Sequence, residues 1–76
     1  MSGVVTTHAS GKSGSVQLAG GYAFRWMLQG TTHPEIYGWV EKDHEIVKQG
    51  GFWRTPDPLA AAQRACDAFD LKLKDG

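Results

Sequence analysis

The sequence predicts an α+β domain: a three-stranded antiparallel meander with one C-terminal helix packed on one face (βββα), behind a flexible N-terminal arm. Three observations predict it. Residues 22–29, 35–42 and 45–49 are short runs rich in aromatic and β-branched side chains, separated by turn-forming residues. Residues 59–74 are rich in helix formers and carry an apolar stripe at helical spacing. Residues 1–21 are rich in Gly, Ser and Thr and contain no acidic residue.

The arm comes first. Val4-Val5-Thr6-Thr7 has the composition of a short strand, and residues 8–15 read as a flexible linker. Order is expected to begin near Ser15 or Tyr22, which leaves residues 22–76 as a single small domain. In the first main strand, Tyr22, Phe24, Trp26 and Leu28 share one face and Ala23, Arg25, Met27 and Gln29 the other, so the first face looks at the core. Gly30-Thr31-Thr32-His33-Pro34 forms the turn, because Pro34 lacks a donor and restricts His33 to extended geometry.

In the second strand, Ile36, Gly38 and Val40 alternate against Tyr37, Trp39 and Glu41. Both sets carry apolar groups, so the pattern alone does not say which is buried. Gly38 weakens a strand unless something approaches it closely, and the ring of Trp26 is the candidate to lie over that gap. Asp43-His44 has the spacing of a two-residue hairpin turn. The third strand, residues 45–49, is expected to break at Gly50-Gly51, with Phe52-Trp53 following it.

Asp57 with Pro58 makes the preferred helix start, with Thr55 and Pro56 the alternative. Leu59, Ala62, Cys66, Phe69 and Leu73 then fall on one stripe. The helix is expected to reach Lys74, with Lys72 and Lys74 favourable to its dipole and Gly76 ending the chain. The expected core is Phe24, Trp26, Ile36, Val40, Leu59, Cys66, Phe69 and Leu73.

Glu45-Ile46-Val47, Gly51-Phe52, Thr55 and Ala60-Ala61-Ala62 together resemble the small bacterial YegP-like proteins of unknown function. The resemblance covers the C-terminal two-thirds of the chain. The sequence departs from the family's pattern at Asp43-His44, at Trp53 and at the two prolines of the helix start. The resemblance implies three strands and a helix, and no activity.

Composition excludes several classes. At 76 residues, 41% hydrophobic and 21% charged, the chain has room for one globular domain and not for a multi-domain enzyme. No run approaches the ~20 apolar residues of a membrane span, and the start lacks the pattern of a signal peptide. A cytoplasmic location is therefore expected. One cysteine excludes an internal disulfide framework and a Cys-rich zinc module.

The chemical motifs are sparse. Gly11-Lys12-Ser13 resembles the end of a phosphate-binding loop, but Thr6 stands where that motif needs glycine. His8, His33, His44 and Cys66 share no ligand-like spacing, so neither a metal nor a cofactor is expected. Cys66 lies in the apolar stripe, where a thiol is inert, and Glu41, Asp43 and Glu45 flank a solvated turn. A single sheet with one helix offers little enclosed cleft, so no enzymatic activity and no catalytic residues are expected.

Two binding functions remain. A single helix covers one sheet face, and the other presents Arg25, Tyr37 and Trp39, residue types enriched in interface cores. This favours a protein partner or self-association as a homodimer. The alternative is nucleic-acid binding through Arg25, Lys42, Lys48 and Arg54. It is disfavoured by the zero net charge of eight basic against eight acidic residues.

Overall fold

The computed structural model describes residues 5–7, 11–30 and 32–74. It contains strands β1 (Val5–Thr7), β2 (Ser13–Gln17), β3 (Tyr22–Gln29), β4 (Glu35–Lys42) and β5 (Glu45–Trp53), followed by helix α1 (Pro58–Phe69). The strands form one antiparallel sheet in the order β1-β2-β3-β4-β5, every neighbour in space being a neighbour in sequence. β2 to β5 make a four-stranded body, and the three-residue β1 flanks it at the β2 edge. The α+β class and the single C-terminal helix match expectation; the strand number does not.

The additional strand of the body, β2, comes out of the expected arm. Val16 pairs with Phe24 and Gly14 with Trp26. Gly14, Val16 and Leu18 are buried while Ser13, Ser15 and Gln17 alternate with them on the other face. That is period-two patterning. Its polar half and Gly14 give it the composition of a linker. After it, a single 3-10 turn at Ala19–Gly21 leads directly into β3. Residues 1–4 and 8–10, the rest of the expected arm apart from β1 and residues 11–12, lie outside the described residues.

β3 folds as its alternation dictates, and β4 turns its Ile36, Gly38 and Val40 face to the core. Phe24, Trp26, Ile36 and Val40 are buried, with Tyr22 and Leu28 packed against them. Trp26 stands in register between Gly14 of β2 and Gly38 of β4, so a large side chain lies between two positions that have none. The ring over Gly38 is nevertheless that of Phe24 and not Trp26. A Cβ at Gly38 would clash with Cζ and Cε1 at the edge of the Phe24 ring and lie 2.8 Å from the Arg25 carbonyl oxygen. Phe24 reaches it diagonally, a distance open to aromatic side chains, and also meets Trp53 edge-on at 5.4 Å between centroids.

The β4–β5 turn is the two-residue hairpin expected. Lys42 pairs with Glu45, and Asp43 and His44 both take positive φ, at 54° and 66°. Such a turn matches strand twist but favours Asn-Gly. Asp43→Asn with His44→Gly is therefore expected to raise stability by about 0.5–1 kcal/mol. A urea midpoint that rises at unchanged slope would bear this out, and a lower midpoint would contradict it.

β5 is longer than expected and continues through Gly50-Gly51 to Trp53. Its register slips twice, between Gly38 and Val40 and between Val40 and Glu41 of its partner strand. The glycines accommodate this irregularity and do not end the strand.

Helix α1 begins as expected. The Asp57 side chain accepts the Leu59 N–H at 3.0 Å, Pro58 holds the first turn, and Thr55 Oγ1 accepts the Asp57 N–H at 3.2 Å. Its deepest residues are Ala61, Ala62, Ala65 and Cys66, while Leu59 and Phe69 only flank the core. Small side chains at the contact let the helix lie close to the sheet.

The helix ends at Phe69 and does not reach Lys74. Asp70 turns left-handed at φ 58°, and its N–H bonds the Cys66 carbonyl, as does that of Leu71 at 2.8 Å. The chain then runs beside β2 as a short extended tail. Leu73 bridges Leu18, and Ala19 donates to the Lys72 carbonyl at 2.9 Å. Leu73 thus packs on the core from the tail and not from the helix stripe, and Lys72 and Lys74 lie beyond the helix end. Gly76 lies outside the described residues.

Candidate functional site

Helix α1 covers one face of the sheet with its alanine surface. On the other face no helix or loop of the described residues packs. Alternation places Ala23, Arg25 and Met27 of β3 there, beside Tyr37, Trp39 and Glu41 of β4. Arg25 is directly opposite Trp39, and Met27 directly opposite Tyr37. The three contact residues expected from sequence, Arg25, Tyr37 and Trp39, are thus brought together.

The face has an aromatic centre. Tyr37 lies 5.7 Å from Trp39 and 4.9 Å from Phe52, centroid to centroid, with tilted rings. The position of Tyr37 depends on Gly50, where an added Cβ would lie 2.8 Å from the tyrosine Cζ and hydroxyl. The Trp39 indole N–H donates to Glu41 Oε2 at 2.6 Å, which fixes the ring and holds a carboxylate beside it. Phe52 is 60% exposed and Met27 38%. Sequence reasoning missed Phe52, because Gly50-Gly51 was read as the end of the strand. The signal was present, since a glycine pair inside an apolar run marks a bulge as well as a break.

The four basic residues of the alternative reading do not converge. Arg25 lies on the open face. Lys42 lines a shallow groove of ≈ 290 Å³ with Arg25, but Glu41 and Asp43 line it too. The Lys42 ammonium stands 4.8 Å from the centre of the Tyr22 ring, a cation–π contact with a residue packed on the core. Arg54 pairs with Glu35 at 3.5 Å, and Lys48 is in register with Val40.

The remaining reactive groups are dispersed. His33 and His44 are exposed in their turns, and His8 lies outside the described residues. Among the described residues, no three His, Cys, Asp or Glu side chains come together as metal ligands. Cys66 is 1% exposed. Burial pushes its thiol pKa up, and the negative charge of Asp67 adds to the shift. Cys66 is therefore expected to resist a disulfide exchange reagent at pH 8 in the folded protein and to react at once in denaturant. Labelling at the rate of an unfolded thiol in native buffer would contradict this.

No helix among the described residues is long and apolar enough to cross a membrane. No family model, curated protein or solved structure matches the chain.

Proposed function

We propose that the chain is a non-enzymatic protein-interaction module whose working surface is the sheet face opposite the helix. One observation carries this reading: Tyr37, Trp39, Phe52 and Met27 form a contiguous apolar patch that the described residues leave uncovered. Aromatic residues, Met and Arg are the types enriched at interface centres, and patches of this kind mark interaction sites. Arg25 on one side and Glu41 on the other supply the polar rim. A non-catalytic role is supported by the burial of Cys66 and the solvated setting of Asp43 and Glu45. The YegP-like resemblance and a cytoplasmic location belong to the same proposal.

The nucleic-acid reading has less support, because Lys42 is drawn to Tyr22, Arg54 pairs with Glu35, acids share the groove of Arg25, and Lys48 stands in register with Val40, away from the Arg25 face.

Photo-crosslinking in cells tests the proposal. A photoreactive phenylalanine analogue at position 52 is expected to give protein adducts. The same group at Gln63, exposed on the helix, is expected to give none. Equal yields at both positions, or none at position 52, would overturn the proposal, and nuclease-sensitive adducts would favour the alternative.

A further inference from the structure

We propose that the occupant of the open face is a second copy of this chain, related by a two-fold axis parallel to the strands between β3 and β4. This rests on the interaction reading above and names its partner.

Two sheets packed face to face by a two-fold need an axis in the plane between them. Along the strands, such an axis lays β3 of one copy over β4 of the other. Because Arg25 is in register with Trp39 and Met27 with Tyr37, Arg25 then meets the partner's Trp39, and Met27 meets the partner's Tyr37. Each contact occurs twice. Both are favourable: a guanidinium on an indole face, and a thioether on an aromatic ring. The carboxylate of Glu41, held at 2.6 Å by the indole N–H, lies beside the ring that receives the guanidinium.

The same axis lays β5 over the partner's β2. Phe52, Tyr37, Met27 and Ser13 occupy one row across the sheet. Reversing that row sets the protruding Phe52, 60% exposed, over the short partner's Ser13. The other in-plane axis, across the strands, is worse. It sets Glu41 over the partner's Glu35 and Arg25 over the partner's Met27, which opposes like charges and leaves a cation without a partner. Charge and shape thus select one self-complementary arrangement.

Size and net charge agree with it. Four strands ~4.8 Å apart and about eight residues long offer roughly 500 Å² a side, which brings a pair to the ~1,000 Å² of a specific interface. A net charge of zero leaves no long-range repulsion between copies.

Light scattering on the full chain over a concentration series tests this. The wild type is expected at twice its 8.3 kDa chain mass. Arg25→Glu opposes carboxylates across the axis and is expected to weaken association roughly a hundredfold or more, with unchanged circular dichroism. Arg25→Glu combined with Glu41→Arg is expected to restore the dimer. A wild type that stays monomeric, or a dimer indifferent to Arg25→Glu, would overturn the proposal, and a double variant that stays monomeric would overturn the two-fold placement. A monomer whose position 52 still crosslinks to a different protein would leave the interaction reading standing while this inference fails.

Discussion

A chain that starts at Tyr22 is expected not to fold. Residues 13–18 supply β2 and two core side chains, Val16 and Leu18, which are 0% and 2% exposed. Burying each contributes about 1.5–3 kcal/mol. Their loss also uncovers Phe24 and Trp26, which pair with Val16 and Gly14. The tail loses its anchor as well, since Leu73 bridges Leu18 and Lys72 bonds Ala19. The total loss reaches about 5 kcal/mol or more, against the ~4–11 kcal/mol expected for a domain this small. Residues 22–76 alone should show no cooperative urea transition. A sharp transition from that fragment would show that β2 is dispensable. Within the full chain, Leu18→Ala should cost about 2–5 kcal/mol.

Gly38→Ala is expected to be strongly destabilising. The added carbon clashes with the edge of the Phe24 ring and lies 2.8 Å from the Arg25 carbonyl oxygen. Phe24 has nowhere to retreat, being wholly buried and edge-on to Trp53 at 5.4 Å. The Arg25 oxygen is backbone within the paired β3–β4 ladder and moves only if the sheet does. Overpacking of this kind costs about 1–3 kcal/mol and occasionally more. Contacts to both a ring and the backbone place Gly38→Ala at about 3 kcal/mol or above. Because Phe24 is one of the two obstacles, Phe24→Leu should cost less in the Gly38→Ala background than alone. A double-mutant cycle from denaturation midpoints measures that coupling. Gly38→Ala within about 0.5 kcal/mol of wild type would contradict the close approach.

Much of the fold was legible where one periodicity acts alone. The alternation in β3 identified Phe24 and Trp26, and Asp57-Pro58 identified the helix start. Legibility failed where two signals overlapped. In β2, serine and glycine on alternate positions disguised a strand whose other half, Val16 and Leu18, is buried. At the C-terminus, Leu73 lies on helical spacing from Phe69, but Leu-Lys-Leu-Lys is also period two. The left-handed Asp70 decides for the extended tail. The buried face of β4 was undecidable from its own residues, because the deciding fact is the Phe24 ring over Gly38. The open face was half legible. Arg25, Tyr37 and Trp39 followed from alternation, whereas Phe52 was hidden by Gly50-Gly51, which look like the end of the strand. The two one-residue slips of β5 cancel in phase and keep Phe52 on the face of Ile46.

The central claim is that this chain works through the uncovered sheet face. It is tested most directly by NMR in cell extract with a soluble paramagnetic probe, comparing the two sides of the molecule at once. The Met27 methyl and the Phe52 ring are predicted to be shielded, while Gln63 and Arg64 on the outer side of the helix stay fully broadened. Equal broadening on the two sides would contradict the claim.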